Sequence, residues 1–310
     1  MKPDMKVKLG PLELKNPVMT ASGTFGYGSE YEEFFPPSAL GAVVVKGVAS
    51  KPVHGNPVPR MAEVTSGMIN AIGLQGPGAD KFLHDPHYLP YLKRTNSTVI
   101  VNIWGKSVEE YRDVAARLDA ESDGIAALEI NVSCPNVKEG GISFSSDTAA
   151  MGKVISAVRS ATKLPLITKL SPNVRSMPEF AKAAADSGSD IVSMINTIPA
   201  MAIDIETRRP KLANITGGLS GPAVKPVAIK MVYETARAVK IPIIGMGGIF
   251  SGADAVEFLL AGASAVAVGT AIFADPMAPV KVLAGIEEYL ERHGYPSVND
   301  IIGKVEIPRK

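Results

Sequence analysis

The sequence predicts an α/β fold: a closed (β/α)8 TIM barrel with an N-terminal hairpin and insertions at the C-terminal face of the barrel. Three observations point there. Eight short apolar runs recur along the 310 residues, with amphipathic helical patterns between several of them. A local signature repeats in "LGAVVVKG", "SDGIAALEINVS", "SGSDIVSMINT" and "AGASAVAVGTA": a helix end, a small or acidic turn, and a buried strand with a polar tip. No G-x-G-x-x-G motif occurs, which argues against an open doubly wound sheet. Near-continuous apolar strands joined by helices make a parallel sheet covered on both faces. Eight such units in about 250 residues match a closed barrel.

Taken in order, "VKLGPLELKN" (7–16) reads as a hairpin placed to floor the barrel. The strands follow as "PVMTAS" (17–22), "AVVVKG" (42–47), "STVIVNIW" (97–104), "AALEINVS" (126–133), "PLITKLS" (165–171), "DIVSMINT" (190–197), "PIIGMGG" (242–248) and "AVAVGTA" (265–271). "SVEEYRDVAARLDAES" (107–122) is a helix with Ser107 as cap and Glu110 three residues on. "PVAIKMVYETARAVK" (226–240) and "SGADAVEFLLAGA" (251–263) follow the same logic. Residues 202–223 form a long insertion after the sixth strand, where insertions serve the active-site face. No linker or low-complexity stretch divides the chain, so residues 1–310 read as a single domain.

Composition narrows the function. A formal net charge of +1 gives no field toward nucleic acid or an anionic membrane. A single cysteine excludes a disulfide framework and a cysteine-rich metal or iron–sulfur site within one chain, and fits a reducing compartment. The N-terminal stretch "MKPDMKVKLGPLELKNP" carries charges throughout and is no signal peptide, so a cytoplasmic location is expected. Phe258 to Ala274 is uncharged, but Gly262 and Gly269 interrupt it. It reads as a helix end followed by a buried strand.

In such a barrel the C-terminal strand ends hold the active site. Here those ends carry Ser22, Lys46, Asn102, Asn131, Lys169, Asn196, Gly247-Gly248 and Gly269-Thr270. Ser22 alone could be a capping residue. Two lysines and three asparagines at one end call for a polar ligand, because buried polar groups are costly unless paired. "GMGGIFSGADA" and "VGTAIFADP" place glycines at the last two strand ends just before helices, an arrangement that admits a phosphate. The plainer reading is turn glycines.

The lone Cys134 lies in "EINVSCPNVKEGG", just past the fourth strand. A lone thiol is ordinarily a small buried hydrophobe. Here "SCPN" is polar, and "NVKEGGISFSSD" reads as a lid with glycine hinges, so the thiol is placed to face substrate. None of His54, His84, His87 and His293 falls at a strand tip, which favours proton transfer over thiol addition and leaves no metal site expected. Strand alternation puts Glu129 in phase with Asn131, one layer deeper. Glu129 is therefore expected as a buried counter-ion for Lys169 or Lys46, rather than as a solvated side chain.

The set "NVSCPN", "NAIGLQ" (70–75), "GLSGPAVKPVA" (218–228), "IIGMGGI" (243–249) and "VGTAIF" (268–273) closely resembles the dihydroorotate dehydrogenases, from about Leu9 to beyond the barrel. Cysteine in "NVSCPN" resembles the class 1 enzymes, and "NAIGLQ" with Gln75 resembles the NAD-linked class 1B catalytic subunit. The chain departs from that pattern in having Gly76-Pro77-Gly78 where Asn-Pro-Gly is usual. The resemblance implies an FMN-binding domain that oxidises dihydroorotate to orotate in pyrimidine biosynthesis. In it Cys134 takes a proton from carbon 5 and a hydride passes from carbon 6 to the flavin. It implies substrate contacts at Lys46, Asn70, Ala71, Ile72, Gly73, Leu74, Asn131, Asn196 and Thr197. It implies FMN contacts at Ser22, Lys46, Gly47, Asn102, Asn131, Lys169, Ile195, Gly221, Gly247, Gly248, Gly269 and Thr270. Lys169 is then the cation beside the flavin pyrimidine edge. NAD linkage implies a homodimer within a heterotetramer, with a second subunit carrying FAD and an iron–sulfur cluster, since one cysteine cannot hold that cluster.

Four rivals remain on sequence alone. They are a fumarate-linked class 1A enzyme, a flavin barrel reducing free pyrimidines, an RNA-modifying flavin barrel, and a non-redox barrel binding a sugar phosphate. The RNA reading lacks a basic face or an extra RNA-binding domain. Yellow protein with flavin absorbance separates the last.

Overall fold

The computed structural model describes residues 2–132, 138–139, 142–143 and 146–308. Each of the eight apolar runs becomes a barrel strand: β1 (Val18–Thr20), β2 (Val43–Val48), β3 (Val99–Ile103), β4 (Ala127–Asn131), β5 (Leu166–Lys169), β6 (Ile191–Met194), β7 (Ile243–Met246) and β8 (Ala265–Val268). They pair in parallel in the order β1-β8-β7-β6-β5-β4-β3-β2. Almost every strand residue is buried, as expected of strands that face barrel interior on one side and helices on the other.

The seam between β1 and β2 closes differently. A single bridge joins Met19 to Ala42, and Gly41 N donates to Val18 O at 2.8 Å. The buried Thr20 hydroxyl accepts from Val44 N at 3.0 Å and donates to Val44 O at 3.3 Å. One side chain thus stands in for a missing piece of ladder. Further along β2 the register with β3 shifts between Val45 and Val48, so Lys46 and Gly47 sit on a bulge at the strand end.

Two of the expected helices start where their caps predict, whereas the one expected over 226–240 runs Lys225–Ala236 with Pro226 in its first turn and no side-chain cap at Val224. Ser107 accepts from Glu110 N at 3.3 Å to open Val108–Asp119, and the Glu110 carboxylate takes Lys106 N at 2.7 Å. Ser251 and Asp254 form a reciprocal capping box before Gly252–Ala261. That helix ends at Gly262, which adopts φ +118°, and β8 follows, so the uncharged stretch is a helix end and a strand. Among the described residues no helix is long and apolar enough to cross a membrane.

The expected hairpin pairs Val7–Leu9 with Leu12–Leu14 and buries Val7, Leu9, Leu12 and Leu14. Its turn at Gly10 lies against Asp190 O at the entrance to β6, at the bottom of the barrel. At the opposite end the insertion after β6 meets an insertion after β2. Ile198–Ala200, Gly217–Ser220, Gly67–Asn70 and Met61–Val64 pair in that order as one antiparallel sheet.

Candidate active site

The strand ends converge in two tiers. The deep tier is built from side chains on neighbouring strands. The Asn102 amide, at the end of β3, donates through Nδ2 to Glu129 Oε1 at 2.6 Å. Ser193 Oγ, on β6, donates to Glu129 Oε2 at 2.7 Å. Glu129 is buried, as the strand phase predicts, but its partners correct the expectation. The carboxylate is held by an amide and a hydroxyl, and no ion pair joins it to Lys169 or Lys46 among the described residues. The reason is register. Asn102 lies directly opposite Glu129 on the next strand, whereas Lys169 lies level with Asn131, one layer higher. Lys169, also buried, donates to Ser22 Oγ at 3.1 Å across the barrel.

Asn131 ends β4, and its carbonyl accepts from the buried Tyr111 hydroxyl at 2.7 Å. Asn196 Nδ2 reaches Asn131 Oδ1 at 3.5 Å, while Asn196 Oδ1 accepts from Thr197 N at 2.8 Å. Thr197 lies against Gly218, where any Cβ would collide with Thr197 Oγ1. Asn70 Nδ2 donates to Gly218 O at 3.5 Å, so the three amides and Thr197 share one mouth.

The shallow tier is made of loop backbone. Asn56 holds the 70–75 segment twice, through Nδ2 to Ala71 O at 2.9 Å and through its own N–H to Ile72 O at 2.9 Å. Gly73 and Leu74 both take positive φ here. Arg60 donates to Gln75 Oε1 at 2.5 Å and to Asn56 O at 3.4 Å. Lys46 is half-buried and makes no ion pair among the described residues. Burial pushes its ammonium below the usual lysine range and the Arg60 charge adds to the fall, with Glu30 opposing. Two cations near one another in a partly dry mouth favour an anion.

The third group is glycine-lined. Gly221, Gly247 and Gly248 all take positive φ. A Cβ on Gly248 would meet Gly221 O at 2.9 Å and Lys225 N at 3.0 Å, so only glycine leaves that backbone approachable. Ile195 lies against Gly247, and Gly269, which with Thr270 follows β8, lies against Ala21 and Thr24. The Lys225 ammonium itself is tied to Asp254 and Glu257, both at 2.6 Å.

The residues beside Gly47 fit the edge of a flavin ring. The Asn102 Oδ1 acceptor and the Trp104 Nε1 donor are buried without partners. Both lie within 3.5 Å of the point a Cβ would occupy on Gly47. A planar ring bearing an N–H beside a carbonyl would satisfy both. Sequence reasoning missed Arg60, Asn56, Tyr111, Ser193 and Trp104. Ser193 left a signal, a hydroxyl inside the apolar run "IVSM"; Arg60 left none, lying in an irregular stretch well past β2 in sequence. Cys134 and most of the glycine-hinged segment after it lie outside the described residues.

A (β/α)8 barrel with amides, lysines and glycine-rich strand ends at its C-terminal face has the layout of a barrel enzyme, whose active site lies at that face. The family model for dihydroorotate dehydrogenase matches residues 4–290. The chain is 55% identical over 306 residues to the "Dihydroorotate dehydrogenase B (NAD(+)), catalytic subunit" of Pelobacter propionicus, covering 99% of this chain and 100% of the relative. It is 54% identical to the protein of the same name from Geobacter sulfurreducens, covering 99% of each. A dihydroorotate dehydrogenase from Eimeria tenella, solved with ferulenol, superposes with a TM-score of 0.80 at 26% identity, over 97% of this chain and 88% of that one. The chain therefore belongs to the dihydroorotate dehydrogenase family of flavin oxidoreductases, on the NAD-linked, class 1B side.

Proposed function

We propose that this chain oxidises (S)-dihydroorotate to orotate with bound FMN, in the de novo route to UMP. Cys134 acts as general base, and the electrons pass to NAD through a separate subunit. The observation that carries the reading is the mouth shared by Asn70, Asn131, Asn196 and Thr197, together with the pair of cations Lys46 and Arg60. A ring with amide groups and a carboxylate offers the acceptors and donors that three amides, a threonine and a lysine can meet. Asn70, the 71–74 backbone, Asn131 and Asn196 would hold the ring. FMN, when bound, supplies the electron acceptor. Ser22, Lys46, Gly47, Asn102, Asn131, Lys169 and Ile195 would hold its ring, and Gly221, Gly247, Gly248, Gly269 and Thr270 its phosphate.

Cys134 follows Asn131, the last residue of β4, by three positions in sequence. A thiol has a free pKa near ~8.5 and so offers thiolate close to neutral pH. Anaerobic mixing of the FMN-loaded chain with dihydroorotate should bleach the flavin absorbance. Cys134→Ser should keep FMN bound and slow that bleaching by roughly 10²–10⁴, with partial recovery at high pH. Wild-type bleaching by the serine variant would remove Cys134 from the mechanism.

The printed names of the relatives, NAD-linked catalytic subunits, support a partner. One cysteine cannot hold an iron–sulfur cluster, and the class 1B resemblance implies a second subunit that carries FAD and the cluster, with this chain as the central homodimer of a heterotetramer. The isolated chain should reduce an artificial dye but not NAD. Direct NAD reduction at a comparable rate would dismiss the partner, and efficient turnover with fumarate would move the enzyme to class 1A.

A further inference from the structure

We infer that Glu129 is a positioning residue that fixes which end of the Asn102 amide faces the cofactor; this rests on the flavin reading above. The Asn102 side chain can present either an acceptor or a donor to a ligand. Its Nδ2 is committed to Glu129 Oε1 at 2.6 Å, a short bond between an amide donor and a carboxylate. A flipped amide would set oxygen against oxygen at that distance. The carboxylate cannot swing away, because Ser193 holds its other oxygen at 2.7 Å from β6. Oδ1 is consequently left as the presented end, buried and without a protein partner. It lies 3.0 Å from the point a Cβ would occupy on Gly47, so glycine leaves the approach open. The site therefore accepts a ring N–H at this position and disfavours a ring carbonyl. In a flavin the matching group is the imide N3–H. The polarity of one cofactor contact on β3 is set by a carboxylate on β4 and a hydroxyl on β6.

The test is FMN binding to the full-length chain depleted of flavin, followed by fluorescence quenching, alongside an analogue methylated at N3. Wild type should prefer FMN. Glu129→Gln is nearly isosteric but carries an amide that can donate as well as accept, so the Asn102 amide loses its fixed orientation. FMN affinity should fall about tenfold, the worth of one buried hydrogen bond. Affinity for the methylated analogue should stay as it was. A merely structural role would weaken both ligands alike, and that result would overturn the inference, as would an unchanged preference. Ser193→Ala should move the preference in the same direction by less. In wild type, FMN labelled with ¹⁵N at N3 should show an N3–H proton protected from exchange, a readout that stands if the Gln variant fails to fold. An unprotected proton would overturn the inference. Failure of wild type to bind FMN at all would instead bring down the flavin reading, and this one with it.

Discussion

The deep and shallow tiers of the site satisfy their polar groups in different ways. In the deep tier, Asn102, Glu129 and Ser193 face one another from three strands of a rigid barrel, with bonds of 2.6 and 2.7 Å. In the shallow tier, Lys46 sits half-buried near Arg60, without an ion pair among the described residues and with its ammonium pushed down by burial. One region is complete without ligand apart from the outward-facing Asn102 oxygen. The other holds a charge that an anion would stabilise. The contrast separates polar groups satisfied within the folded barrel from a charge that a ligand would satisfy.

The largest effect should come from breaking the deep tier. Glu129→Leu strands the Asn102 Nδ2 and the Ser193 hydroxyl in a dry interior, at roughly 1–3 kcal/mol for each unsatisfied group. Urea unfolding should show a loss of about 2–4 kcal/mol. A loss under 1 kcal/mol would mean that water or a rotamer change rescues both groups. Next in size is Lys46→Met in the shallow tier. Orotate affinity should fall about 10–100-fold, the worth of a hydrogen bond to a charged group. The unfolding free energy should hold or rise, since a cation is removed from the field of Arg60. If the methionine variant instead loses stability while binding orotate normally, the two tiers do not differ as described.

The smallest effect sharpens the comparison through pH. The depressed Lys46 ammonium gives up its proton earlier on the alkaline side than an ordinary lysine. An anionic ligand needs the protonated form. Orotate affinity should thus be full below the Lys46 pKa of the free protein and fall as pH rises through it. Lys46→Arg should carry full affinity to higher pH, because guanidinium stays charged. Titration of orotate binding across neutral to alkaline pH checks this, and identical profiles for the two proteins would remove Lys46 as the titrating group.

Much of this was legible before any coordinates. The eight strands announced themselves as apolar runs, because both faces of a parallel barrel are buried. The Ser107 and Ser251 caps marked their helix starts through local chemistry alone. Glu129 was readable as inward from strand phase, yet its partners were not. Phase is a property of one strand, whereas a partner depends on the registers of three. The antiparallel sheet was invisible for a related reason. Its strand Gly217–Ser220 is short, glycine-rich and half-buried, and it pairs with residues about 150 positions away. The departure at Gly76 also gains a cause. A Cβ there would meet Gly47 O at 2.9 Å and the Tyr27 hydroxyl at 3.2 Å, so a bulkier residue would have to displace the bulge that carries Lys46.

That antiparallel sheet joins more than two insertions. Asn70 pairs with Gly218 and Met68 with Ser220, Ala223 N donates to Ser66 O at 3.0 Å, and Gly221 packs directly on Gly67. The loop that carries Asn70, proposed for substrate, and Gly221, proposed for the cofactor phosphate, are therefore parts of one mechanical body. Order imposed at either end is inherited by the other. The expected consequence is heterotropic cooperativity: cofactor tightens substrate, and substrate tightens cofactor by the same factor, with no wire between them beyond a shared sheet.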